Sequence, residues 1–94
     1  MTLEEFTATL SDREPPTELS AALKALWYDG HGDWNAAHET AQAIEDETGA
    51  LVHAYLHRKE GDLSNAAYWY RRARKAVASE PLESEWTRIV SALL

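Results

Sequence analysis

Residues 32–44 read GDWNAAHETAQAI, and residues 61–73 repeat the pattern as GDLSNAAYWYRRA, 29 residues later and without a gap. In both segments a glycine suits the end of one helix, and the aspartate after it suits the N-cap of the next. Alanine recurs at matching places, before the turn at Ala25 and Ala54 and after it at Ala37 and Ala66. Because small side chains let two helices approach closely, the repeat predicts two helical hairpins stacked on each other.

The rest of the chain also has helical spacing of apolar residues, and no alternating β-branched run predicts a strand. Thr2 and Glu5 have the spacing of a capping box, Pro15 and Pro16 end the first helix, and Pro81 suits the start of the last. We therefore expect an all-α protein of about six helices in one domain. The domain is expected to cover residues 1–94. It would contain two hairpins, at about 17–47 and 50–78 and separated at Gly49, and two flanking helices, at 2–11 and 82–93.

Composition restricts the chemistry and the location of the protein. The chain is 45% hydrophobic and 27% charged, which is typical of a folded globular domain. It has no cysteine, so disulfides and thiolate metal sites are excluded. No signal-like leader or membrane-length apolar stretch occurs, so we expect a cytoplasmic protein that does not contact membranes.

The net charge of −7 disfavours nucleic acid and anionic membranes as partners. The charge is unevenly distributed: residues 1–57 hold eleven acidic residues against Arg13 and Lys24, whereas residues 58–75 hold six of the nine basic residues. The basic segment is therefore where we expect an acidic partner to bind.

The two units resemble the helical hairpins of the tetratricopeptide repeat (TPR) family. In the second unit the small and aromatic packing positions of that family correspond to Ala54, Gly61, Ala66, Tyr70 and Ala73. The first unit has the small residues but carries Ala41 where an aromatic is usual, and the period is 29 rather than about 34 residues. Over about residues 19–78, the resemblance implies a right-handed superhelix capped by the flanking helices. Its first helices would line a concave groove that binds a protein or peptide.

Three histidines form the candidate metal site. His53 and His57 lie one helical turn apart, and we expect His38 to approach His57 because a short turn makes their helices antiparallel. Three imidazoles suit Zn²⁺. The same spacing also occurs in helices that bind nothing, where the imidazoles line a groove or bond to neighbouring helices. A zinc- or small-ligand-binding protein, with catalysis by these histidines and Arg58, is thus the alternative interpretation.

The fifth helix, expected at 63–78, presents Tyr68 with Arg71, Arg72 and Lys75 on the face opposite its apolar side. An exposed aromatic among basic side chains favours an acidic protein or peptide as partner. The alternative is internal pairing with the acidic side chains Glu39, Glu45 and Asp46.

No enzyme motif is present: neither a GxSxG turn nor a glycine-rich phosphate loop occurs. Asp29, Asp33 and Asp62 all look like residues at helix ends. We therefore expect a non-enzymatic protein–protein interaction module. The binding residues are expected to be Tyr28, His53 and His57 in the groove, and Tyr68, Arg71, Arg72 and Lys75 on the basic helix. Self-association into a homodimer is a third interpretation.

Overall fold

A computed structural model describes all 94 residues and contains six α-helices and no strand. The helices are α1 Leu3–Ala8 (continued by a 3-10 turn, Thr9–Ser11), α2 Ala21–Gly30, α3 Trp34–Gln42, α4 Glu47–Glu60, α5 Leu63–Arg72 and α6 Leu82–Leu93. The expected all-α class and number of helices are confirmed. None of the helices combines the length and the apolarity needed to cross a membrane.

The two Gly-Asp turns have the same backbone structure. Gly32 and Gly61 adopt positive φ values of 98° and 89°, in the left-handed region that glycine tolerates best. Asp33 and Asp62 then cap the next helix, each accepting the backbone N–H three residues later at 3.0 and 3.3 Å. Their own N–H groups donate to the carbonyl five residues earlier at 2.8 and 3.0 Å, which closes the preceding helix. The sequence repeat is therefore also a repeat of turn structure.

Helix α2 pairs with α3, α4 pairs with α5, and α3 packs beside α4. The matching alanines Ala25, Ala37, Ala54 and Ala66 are all at most 1% exposed. Their small size lets the helices of each hairpin approach closely, as the sequence predicted.

Helix α6 packs across α2 and α4 and also contacts α1. The indole N–H of Trp86 on α6 donates to the Leu26 carbonyl of α2 at 3.0 Å. Phe6 of α1 and Ile89 and Val90 of α6 join the main apolar core. Helix α6 therefore packs against the first helix of both hairpins.

Helix α5 is shorter than expected, ending at Arg72 rather than near residue 78. Arg74 adopts a left-handed φ of 59°, and the Lys75 N–H donates to the Tyr70 carbonyl at 3.0 Å. This is the same closing hydrogen bond as in the two Gly-Asp turns, formed here without a glycine. Val77, which would have faced the core in a longer helix, is 59% exposed.

Two other boundaries differ from the sequence prediction. Helix α2 begins after an N-cap at Ser20 rather than near residue 17. Helix α4 begins at Glu47 with Asp46 as N-cap, so Gly49 lies in its first turn and does not end α3. A Cβ on Gly49 would lie 2.3 Å from the Ile44 carbonyl oxygen, so the close approach of the preceding loop requires glycine here.

Candidate functional site

His38 of α3 and His53 and His57 of α4 lie together, and we call these three residues the histidine cluster. Nε2 of His38 is 3.0 Å from Nε2 of His53. The rings of His53 and His57 stack with centroids 4.7 Å apart, and those of His38 and His57 are 5.1 Å apart. The expected approach of His38 to His57 is therefore present in the structure.

Two tryptophans enclose the histidine cluster. Trp34 stacks on His38 with ring centroids 4.9 Å apart, and Trp69 of α5 stacks on His53 at 4.0 Å. The indole N–H of Trp34 donates to a backbone carbonyl of α4 at 2.9 Å, which fixes the ring. The cluster thus lies between three helices, in surroundings that are mostly aromatic.

Two polar side chains hold the His57 ring in place. Its Nδ1 donates to Glu60 Oε1 at 2.6 Å, and its Nε2 accepts from the Asn65 side-chain amide of α5 at 3.3 Å. Because the Glu60 carboxylate accepts only, the proton of His57 is on Nδ1. Asn65 is a site residue that sequence reasoning missed, since it lies beyond the turn and no local pattern connects it to His57.

Burial, followed by the neighbouring His38 and His57, lowers the pKa of His53 to about 4. The pKa of His38 is also lowered, first by burial and then by His57. Both rings are therefore neutral near pH 7, because a proton on either would be poorly solvated and close to another imidazole.

The structure corrects the expected groove positions. His53 and His57 are only 5% and 7% exposed, so they do not line an open groove. They face α3 and α5, whereas α6 covers the opposite side of α4. Tyr28 is apart from the cluster, partly buried with its ring edge-on to Trp27 at 5.6 Å.

Arg58, the fourth member of the alternative catalytic set, also lies elsewhere. Its guanidinium donates to Glu85 Oε1 at 2.8 Å and to the Glu80 carbonyl. Glu85 is fully buried, and its second oxygen accepts the Tyr70 hydroxyl at 2.5 Å. The Arg58–Glu85–Tyr70 network joins α4, α5 and α6, so the expected grouping of Arg58 with the histidines is wrong.

Asp29 is not simply a helix-end residue. It is 4% exposed and accepts the Tyr55 hydroxyl and the Lys59 ammonium, each at 2.9 Å. Burial, followed by the Asp29 charge, raises the pKa of Tyr55, so its hydroxyl stays protonated as a donor. These three side chains border an open cleft of about 550 Å³, whose apolar lining includes Leu82 and Trp86 of α6.

Tyr68, Arg71, Arg72 and Lys75 are the second candidate site, which we call the basic face. Because α5 ends at Arg72, only the first three lie on the helix, and the expected place of Lys75 on the same helix face is wrong. Tyr68 is 44% exposed, and its hydroxyl accepts from the Arg72 guanidinium at 3.1 Å. The same guanidinium lies 5.8 Å from the centre of the Tyr68 ring and 5.1 Å from that of Trp69. These contacts hold Tyr68 and Arg72 in one orientation at the surface.

The basic face does not pair with the acidic residues expected from the sequence. Arg71, Arg72 and Lys75 form no ion pair within the chain. One ion pair reaches the acidic start of α4: Arg74 lies 3.2 Å from Glu47, and both side chains are exposed. Internal pairing with Glu39, Glu45 and Asp46 is therefore wrong.

Comparison with known proteins shows no relative: no protein-family model, no curated protein and no solved structure matches the chain. Function therefore has to be inferred from the chain's own side chains. The histidine cluster and the basic face are the two groups of side chains that form candidate functional sites.

Proposed function

We propose that the protein is a small interaction module built on two TPR-like hairpins, and that its basic face docks an acidic peptide segment of a partner protein. The observation that carries this proposal is charge. A chain with a net charge of −7 keeps Arg71, Arg72 and Lys75 exposed and free of internal ion pairs. Cations in that position are available to carboxylates of another molecule.

The hairpin repeat supports the TPR-like class. The two chain ends then determine which surface of the hairpins remains free to bind a partner. In a TPR-like superhelix the first helix of each hairpin would line the inner groove, and in this chain those helices would be α2 and α4. Helix α6 packs against both of them, so part of their surface is already covered. The exposed side of α5 has no such cover; it carries Tyr68, Arg71 and Arg72, and Lys75 follows the end of the helix.

The contacts within the basic face suit a docking surface. Tyr68 is already oriented by its hydrogen bond and cation–π contact with Arg72, so less side-chain entropy is lost when a partner binds. Arg71 offers a planar guanidinium that can bind a carboxylate through two parallel hydrogen bonds. A carboxylate on the peptide would therefore meet both charge and directional donors.

The surroundings also indicate where an apolar residue of the peptide would lie. Beyond Lys75, a shallow cleft of about 370 Å³ has Leu51 and the exposed Val77 in its lining. On the other side, Arg72 borders a cleft that contains Glu45, Asp46 and Glu47. An acidic peptide is repelled from that second cleft, so we place it along Arg71 and Lys75 with an apolar side chain toward Val77.

The test uses random peptides displayed on phage and the full-length protein as bait. We expect selection to enrich peptides that combine several carboxylates with an apolar residue. The double charge reversal Arg71→Glu and Lys75→Glu should weaken binding of a selected peptide by at least about tenfold in fluorescence anisotropy, or about 1.4 kcal/mol. Higher salt should also weaken binding.

The matched control is Arg13→Glu with Lys24→Glu, which changes the net charge equally but lies far from α5 in the sequence. We expect this control to retain most of the affinity. Docking on the basic face would be contradicted if selection did not enrich acidic peptides, or if both double variants lost the same amount of affinity.

A further inference from the structure

The histidine cluster has no part in the proposed docking, and we propose that it is a separate site that binds one Zn²⁺ ion through His38, His53 and His57. Each of the three rings offers a nitrogen, and these nitrogens all lie within 4.8 Å of one another. Zinc–imidazole bonds of 2.0–2.1 Å in a tetrahedral site place ligand nitrogens about 3.3 Å apart. The His38–His53 pair is already 3.0 Å apart, so the remaining nitrogen–nitrogen distances need to shorten by at most about 1.5 Å to complete the triangle.

The hydrogen bonds of His57 prepare it as a ligand. Because Glu60 accepts the Nδ1 proton at 2.6 Å, Nε2 keeps its lone pair. A carboxylate bonded to the far nitrogen of a metal-binding imidazole fixes the ring and makes the near nitrogen more basic. The metal would replace the longer 3.3 Å hydrogen bond from Asn65.

The donor set determines which ion suits the site. Three neutral nitrogens without a thiolate favour Zn²⁺ and its neighbours in the first transition series over Mg²⁺ or Ca²⁺, which prefer oxygen. His38 is the partly exposed member, so the ion can enter from its side, and a water molecule can complete four-fold coordination. Trp34 and Trp69 close the remaining sides by stacking on His38 and His53.

Hydrogen bonds between the rings explain the arrangement of the histidine cluster less completely than a bound ion does. One proton joins the His38 and His53 rings. The His57 ring stacks on His53 with centroids 4.7 Å apart and forms no hydrogen bond with either ring. An ion at the centre would give all three imidazoles the same partner. It would also join α3 to α4 and so stabilise the stack of the two hairpins.

The test begins with full-length protein stripped by EDTA and then titrated with ZnCl₂, followed by calorimetry and native mass spectrometry. We expect one zinc per chain and a thermal midpoint that rises with zinc and falls again with EDTA. Replacing His38 or His57 by Gln should weaken zinc binding by at least about 100-fold, and Glu60→Gln, which removes only the supporting carboxylate, by about tenfold.

His31 provides the matched control, because it is the one histidine outside the cluster: it stacks on Trp27 and bonds to the Leu10 carbonyl. His31→Gln should bind zinc as the wild type does. Circular dichroism in EDTA checks that each variant remains helical. Failure of the wild type to bind zinc at millimolar concentration would overturn the proposal, and so would unchanged affinity in folded His38→Gln.

The peptide test and the zinc test are separable. None of the zinc variants touches Arg71 or Lys75, so peptide docking should survive in them. Cobalt supplies an independent readout: Co²⁺ held by the cluster should show the intense visible bands of tetrahedral coordination. The weak spectrum of an octahedral ion would contradict coordination by the three imidazoles with one water.

Discussion

Arg58 donates to the fully buried carboxylate of Glu85 at 2.8 Å, and this ion pair joins α6 to α4. The second oxygen of Glu85 accepts the Tyr70 hydroxyl, so the same carboxylate also holds α5. A charge in this position is tolerated because both of its oxygens have donors. The pair thus keeps the last helix against α4, whereas the proposed partner site lies on α5 and the residues that follow it.

Removal of that charge should destabilise the fold. Glu85→Gln keeps the shape of the side chain but leaves the half-buried Arg58 without its counter-charge, and we expect the free energy of unfolding to fall by about 3 kcal/mol. Urea denaturation measures the change. The exposed neighbour Glu83→Gln removes the same charge from the same helix and should change stability by less than about 0.5 kcal/mol. Similar values for the two variants would show that the buried pair does not hold α6.

Replacement of the left-handed arginine should stabilise the protein. Arg74 has a φ of 59° at the end of α5, where a side chain is strained and glycine is not. Its ion pair with Glu47 is exposed at both ends and contributes little. We therefore expect Arg74→Gly to raise the free energy of unfolding by about 0.5–1 kcal/mol.

Lys75→Gly is the control for Arg74→Gly, because it removes the same charge from a neighbouring exposed residue whose φ is not positive. It should not stabilise the protein. A thermal or urea midpoint for Arg74→Gly at or below that of the wild type would contradict the assigned strain.

Stability should also depend on pH through the histidine cluster. The pKa of His53 is lowered to about 4 by burial and then by His38 and His57, whereas an unfolded histidine titrates near 6.5. The unfolded chain therefore takes up the proton first, and stability that is present above pH 6.5 is lost as the pH falls toward 4. At His38 the lowering by burial and His57 is partly offset by Glu60 and Glu39.

Unfolding in urea, in the presence of EDTA, tests this dependence. Between pH 7 and 5 we expect a loss of about 1–2 kcal/mol in the wild type. His53→Gln should reduce the slope of the unfolding free energy against pH, and His31→Gln should leave that slope unchanged. An equal slope in the wild type and His53→Gln would assign the pH dependence to other groups.

Features set by neighbouring residues could be predicted from the sequence. The Gly-Asp turns depend on positive φ at Gly32 and Gly61 and on the caps that follow them, all within a few residues. The histidine cluster could be predicted in the same way, because helical spacing places His53 beside His57 and a short turn brings in His38. The burial of these rings could not be predicted, since Trp69 lies on a separate helix.

Features that depend on distant contacts could not be predicted from local patterns. No glycine or proline marks the end of α5 at Arg72, and the segment that follows is held by the bond from Arg58 to the Glu80 carbonyl. Asp29 was interpreted only as a helix-end residue because its partners, Tyr55 and Lys59, are more than twenty residues away. Burial of a carboxylate depends on such donors, which local composition does not reveal.

The central claim, docking of an acidic peptide on the basic face, is tested most directly by nuclear magnetic resonance. Labelled full-length protein is titrated with a selected acidic peptide while backbone amide and arginine side-chain signals are followed. We expect the largest shifts along α5 and its end, from Tyr68 to Lys75, with little change in α2. Shifts concentrated at Leu26 and Trp86, where α6 packs on α2, would contradict the account and place the partner away from the basic face.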